Sequence, residues 1–159
     1  MKHLPKHLRQ RWRYLAVELE TWPDASISEV EFQRSLWFAA QNLIGDVGSA
    51  EAELRVVSFA FGDGAGSALV RTRRGAESLA RAAIACVDSV YDEPIRVTVG
   101  GISGTVRAAE EKYLGGPAEA TEQESVAFRN ESRRAVARNG RLDVEIDGTF
   151  VGATRLDTT

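Results

Sequence analysis

The sequence predicts an α+β fold in which one four-stranded antiparallel sheet, threaded in the order βαββαβ, carries two helices on one face. Three observations lead there. Arg13 to Leu19 alternates by side, with Leu15, Val17 and Leu19 pointing one way and Tyr14, Ala16 and Glu18 the other, as a strand with one buried face requires. Two later stretches repeat their apolar residues at helical spacing, and three more runs are short and β-rich. Twisted strands, right-handed crossovers and helices that each bury one face are satisfied together if the first strand is central, between the third and the fourth.

The elements follow in order. Residues 1–12 form a basic arm, and the first strand leads out of it. After a turn at Trp22, Pro23 and Asp24, Ser28 and Glu31 have the spacing of a capping box. The helix begun there presents Val30, Leu36, Trp37, Ala40, Leu43 and Ile44 and ends near Gly45 and Gly48. Leu54 to Phe61 and Ser67 to Arg73 are strands joined by Gly62 to Gly66, a hairpin rather than a phosphate loop, since no helix and no Gly-Lys-Ser/Thr follows. A second helix spans Ala76 to Tyr91, with Cys86 on its apolar side as a small core residue. Ile95 to Val99 is the fourth strand, its Arg96 and Thr98 facing away from the core.

Gly100 to Gly104 then leads into a short third helix, Thr105 to Leu114, closed by Gly115, Gly116 and Pro117. Those glycines allow a close approach, either to the sheet, which is favoured, or to a phosphate at the helix N-terminus. Residues 13–116 make the ferredoxin-like domain, and 117–159 an extension. In the extension, Thr121 and Glu124 read as the cap of a helix to Arg138, with Arg129, Arg133 and Arg134 on one solvated side. Arg141 to Asp147 and Thr149 to Leu156 read as a closing hairpin around Asp147 and Gly148.

Composition bounds the function. At 159 residues and 43% hydrophobic content the chain buries one good core. A single cysteine excludes an internal disulfide and a cysteine-rich zinc site, and the lack of a long apolar run argues for a cytoplasmic protein that meets no membrane. The first 13 residues hold five basic groups and no acid, whereas the other 146 sum to a net charge of -8. A polyanion is therefore met locally. Arginine outnumbers lysine 17 to 3, which suits bidentate phosphate contacts, while the many acids equally suit solubility in high salt.

No catalytic constellation is present in the sequence: there is no paired carboxylate and no Ser/His/Asp set, and both histidines, His3 and His7, lie in the arm, where Pro5 between them also disfavours a metal pair. RNA binding is the better reading. Only Tyr14 stands on the open side of the first strand, so base stacking is not the expected mode. Backbone contacts are expected instead from Lys6, Arg9, Arg11 and Arg13, from Arg71, Arg73 and Arg74 at the hairpin end, from Arg96 on the open face, and from Arg107. The alternative is a small protein-interaction or ligand-sensing module without RNA.

The arm and strand LPKHLRQRWRYLAVELE, the segment IRVTVGGISGTVRAAEEKYLG and the βαββαβ order between them resemble ribonuclease P protein component 2, the Pop-five family, in a version typical of salt-loving archaea. The likeness covers roughly residues 1 to 115. It implies a non-catalytic subunit of an endoribonuclease that removes the 5′ leader of precursor tRNA, in which the RNA carries the chemistry. It further implies that this chain binds no cofactor, that the RNA requires magnesium, and that the partners are ribonuclease P RNA, precursor tRNA, other ribonuclease P proteins and the barrel-shaped component 3. With component 3 the family assembles as two copies of each subunit. By position, Lys6, Arg9, Arg11 and Arg13 match the family's basic entry, and Ser103, Gly104 and Thr105 its loop before the third helix.

Overall fold

The computed structural model describes residues 5–114 and 121–158. Lys2, His3 and the Gly115 to Pro117 stop lie outside them, as does the expected boundary at residue 117. Strand β1 (Trp12–Glu20) is followed by α1 (Glu29–Ala52), β2 (Arg55–Gly62), β3 (Ala65–Arg73) and α2 (Glu77–Ala85). Then come β4 (Ser89–Val90), β5 (Glu93–Pro94), β6 (Arg96–Ser103) and α3 (Val106–Tyr113). The main sheet is antiparallel in the order β2-β3-β1-β6, so β1 is central as the βαββαβ order predicts. Leu15, Val17, Leu19 and Val70 face Phe32 and Leu36 of α1 and Ile84 of α2 in one core. Each such side chain contributes about 1.5–3 kcal/mol on burial.

Local chemistry fixes the start of α1. The Ser28 hydroxyl accepts the Glu31 N–H, and the Glu31 carboxylate accepts the Ser28 N–H. The first helical run ends at Gly45 as expected, its backbone leaving helical geometry there at φ 68°, and a second run, not expected, continues across the kink to Ala52. The buried stripe is Phe32, Leu36 and Ala40, whereas Val30, Trp37 and Leu43 are exposed. Apolar spacing alone was compatible with either stripe, and Phe32 at i−4 from Leu36 decides it.

α2 is shorter than expected. It stops at Ala85, and Val87 and Val90 reach the core through a small β4–β5 hairpin whose turn, Tyr91 and Asp92, has φ of 46° and 68°. Cys86, expected in the core, caps α2 and is exposed. β6 runs past Val99 to Ser103 after a bulge opposite Ala16 and Val17, so most of the Gly100 to Gly104 segment is strand rather than loop. α3 then folds back over the second face of the sheet. Ala109 packs on Ala16 and Leu69, with Tyr14, Tyr113 and Leu114 around them, so Tyr14 does not stand on an open surface.

The largest correction concerns the extension. Thr121 to Arg138 is not a helix but two antiparallel strands, β7 (Thr121–Phe128) and β8 (Glu131–Arg138), followed by β9 (Arg141–Ile146) and β10 (Thr149–Ala153). Burial has period two: Val126 and Phe128 are buried around exposed Ala127. Each connection is a two-residue turn with positive φ at both positions, Arg129–Asn130, Asn139–Gly140 and Asp147–Gly148, the backbone that a tight hairpin demands. That chemistry overrides the cap-like spacing of Thr121 and Glu124. The last strand ends at Ala153, before a single 3-10 turn at Arg155–Asp157. Arg155, in the turn after β10, pairs with Glu124 of β7, and Val126, Leu142, Val144 and Ala153 share one small core.

This second sheet docks on the far end of β1. Phe150 meets Trp22 edge to face with ring centres 5.1 Å apart, and the Arg134 guanidinium lies 4.4 Å from the Trp22 ring centre. Arg138, expected among solvated arginines, is buried. It donates to the carbonyls of Thr21 at 2.5 Å and Gly64 at 3.1 Å, and it faces Glu20 and Asp143. Burial pushes the Asp143 carboxyl above its ordinary value, with Arg96 opposing that shift and Glu20 adding to it.

Candidate nucleic-acid interface

Strand register gathers cations at the entry end of β1. Trp12 lies opposite Arg73, Tyr14 lies opposite Arg71 on one side and Ser103 on the other, and Arg55 lies opposite Arg71 on the edge strand. The arm is tied to the same end, because the Arg74 N–H donates to the Arg11 carbonyl at 3.0 Å. Before β1, Lys6–Leu8 make one 3-10 turn, and Lys6, Arg9 and Arg11 are all exposed. Thr105 caps α3 by accepting the Ala108 N–H, which sets Arg107 at the start of that helix beside Ser103 and Gly104.

Several of these cations are held in place by acids. Arg13 lies 3.6 Å from Glu77, and Gly104 leaves room for it, since a β-carbon there would come within 2.6 Å of its Nη1. The Glu77 carboxyl is held below its ordinary value by its own backbone N–H and that of Gly75, with Arg13 and Arg74 adding attraction. Arg73 pairs with Glu53, whose carboxyl that bond lowers, and Arg107 pairs with Glu111 at 2.9 Å. Arg71 stacks on Trp12, its guanidinium carbon 3.9 Å from the ring centre. Exposed pairs of this kind add little stability, but they orient guanidinium groups and leave donors facing outward.

The expected site residues thus separate. Lys6, Arg9, Arg11, Arg13, Arg71, Arg73, Arg74, Ser103, Thr105 and Arg107 share one end of the sheet, whereas Arg96 lies at the other, opposite Glu20 and 3.2 Å from Asp143. Arg55 and Trp12 were missed. The signal for Trp12 was an aromatic interleaved with arginines, RQRWRY, and for Arg55 the pairing of its strand with the arginine-bearing one. The glycine-rich segment makes its closest approaches within the protein: a β-carbon on Gly101 would lie 2.2 Å from the Tyr113 ring. Among the described residues, no group of three or more His, Cys, Asp or Glu is placed to hold a metal ion, and no helix is long and apolar enough to cross a membrane.

Comparison with known proteins identifies the family. The model of the Rpp14/Pop5 family matches residues 13–114, ending before the second sheet begins. Ribonuclease P protein component 2 of Haloarcula marismortui is 61% identical over 159 residues, covering 99% of each chain. The protein of the same name from Natronomonas pharaonis is 59% identical, over 99% of this chain and 98% of its own. That from Methanosarcina mazei is 32% identical over 114 residues, which are 72% of this chain and 93% of its own.

Proposed function

The chain belongs to the Rpp14/Pop5 family, and from that premise we propose how its geometry serves ribonuclease P. It is a protein subunit of that enzyme and acts in tRNA processing, with the ribonuclease P RNA and other ribonuclease P proteins as its partners. In our reading the main sheet with its two helices is a ferredoxin-like domain. The subunit does not catalyse; it supports an RNA that removes the 5′ leader of precursor tRNA with its own magnesium, in the cytoplasm. Component 3 is its direct protein partner, two copies of each assembling together.

One observation carries this reading. The pairing of Trp12 with Arg73 and of Tyr14 with Arg71 brings arm, hairpin end and α3 start together as one cationic surface on an otherwise acidic chain. Such a surface neutralises backbone phosphate, and so lowers the divalent ion that folded RNA requires. Arg71 over Trp12 presents a planar, oriented donor set to phosphate without offering a free ring to bases.

The test is precursor tRNA cleavage by the cognate ribonuclease P RNA with component 3, at limiting magnesium, with the chain present or omitted. The chain is expected to lower the magnesium needed for half-maximal rate, and R9A/R11A/R13A to raise it again severalfold. An unchanged magnesium requirement in an assembled particle would remove the role assigned to the arm.

A further inference from the structure

Away from the cationic end, the N-terminal half of α1 and the β4–β5 turn expose an unusual set of side chains. Val30 is 59% exposed, Trp37 49% and Phe38 69%, and Tyr91 at the hairpin tip is 51% exposed. Val30, Arg34, Trp37, Phe38 and Gln41 fall on one side of the helix by their spacing. The Arg34 guanidinium donates to the Tyr91 hydroxyl at 3.2 Å, joining helix and turn into one surface. Trp37 is anchored by its indole N–H, which donates to the Leu54 carbonyl at 2.9 Å; Val30 and Phe38 lie outside the core, which α1 contacts through Phe32, Leu36 and Ala40.

Two features separate this surface from incidental exposure. Tryptophan, tyrosine and arginine concentrated around an apolar centre are the residues that dominate protein–protein binding energy. In addition, Tyr91 holds a left-handed backbone, φ 46°, which disfavours a bulky side chain and which glycine or asparagine adopts more readily. The side chain stands half exposed there, held to α1 by the Arg34 hydrogen bond.

We propose that the α1–Tyr91 surface docks a protein subunit whose contact face is apolar at its centre and basic at its rim. Charge selects that occupant. In sequence Glu29 adjoins Val30, and Asp92 and Glu93 adjoin Tyr91, with Glu29 and Asp92 exposed, while Arg34 is the cation joined to Tyr91. Acidic surroundings repel RNA, and a second copy seated here would bring like charges together. The partner class rests on the proposed function, since a ribonuclease P subunit has protein neighbours to meet.

The probes are the purified cognate ribonuclease P proteins, component 3 first, titrated separately into the full chain, with binding of ribonuclease P RNA measured in parallel. V30S/F38S changes two exposed side chains and is expected to weaken the protein contact at least about 100-fold, as loss of two central anchors does, while RNA affinity stays within twofold. Tyr91→Gly relaxes the turn, so its thermal midpoint is expected to hold or rise while binding falls about tenfold. Binding of every probe unchanged in both variants overturns the proposal. So does a loss of RNA affinity in V30S/F38S, or a parent chain that self-associates through this surface and becomes monomeric in the variant. Should the parent bind neither RNA nor any ribonuclease P protein, the proposed function fails rather than the docking surface alone.

Discussion

Arg138 shows how much one side chain can join. Its guanidinium reaches two backbone carbonyls on separate connections of the main sheet, those of Thr21 and Gly64, while facing Glu20 of β1 and Asp143 of β9. Replacing it by methionine keeps the volume but takes the Arg138 donor from two carbonyls and one buried cation from two acids, which keep Arg96 and Arg141. The expected loss is about 3–5 kcal/mol, read by denaturant unfolding at constant salt, because a broken buried pair costs more than the intact pair contributes. Arg138→Lys is expected to fall between, since it keeps the charge and loses the fork. A cost below 1 kcal/mol for methionine would mean that Arg96 and Arg141 already neutralise the acids. Nothing in the sequence marked this arginine: it follows Arg133 and Arg134 in a stretch that reads as a solvated helix, and only the β8 register turns it inward.

At the scale of elements, what was legible depended on whether the signal was local. The capping box at Ser28 and the β1 strand signal are complete within a few residues; the box appears as read, and β1 turns Leu15, Val17 and Leu19 to the core, but its other side is not open, since Ala16 is buried under α3. The Asp147–Gly148 turn announced its hairpin, whereas Arg129–Asn130 adopts the same backbone with residues that do not advertise it, and a helix was expected instead. The site beside α3 was legible in part. Its cations could be listed from sequence, but α3 lying across the second sheet face depends on Gly101 meeting Tyr113, a contact in which any β-carbon would clash and which a pattern of spacing does not show. Gly101→Ala is therefore expected to cost about 1–3 kcal/mol by overpacking, and Tyr113→Ala in the same chain to recover part of it. A double variant no more stable than Gly101→Ala would place the clash elsewhere.

For the whole molecule, β1 separates two kinds of contact. Its nine residues span about 30 Å, with the cationic surface at the entry and the second sheet docked at the exit. Sites that distant and without shared partners act additively. Phe150→Ala, which removes the edge contact to Trp22, is expected to lower stability by about 3 kcal/mol and leave RNA affinity at constant salt unchanged. Combined with R9A/R11A/R13A, the two effects should sum within experimental error; coupling between them would show that the second sheet helps to shape the RNA-facing end. The family model matches residues 13–114 while the haloarchaeal relatives match along nearly the whole chain, so the second sheet lies outside the segment matched by the family model and inside the one shared with those relatives.

The exposed cap of α2 has a practical consequence. Cys86 is the single thiol of the chain and stands at the surface, so a maleimide dye attached there marks one known position without any substitution. Paired with a second dye on the RNA, it becomes a ruler: energy transfer would report how the subunit is oriented within an assembled particle, and whether that orientation changes as precursor tRNA arrives.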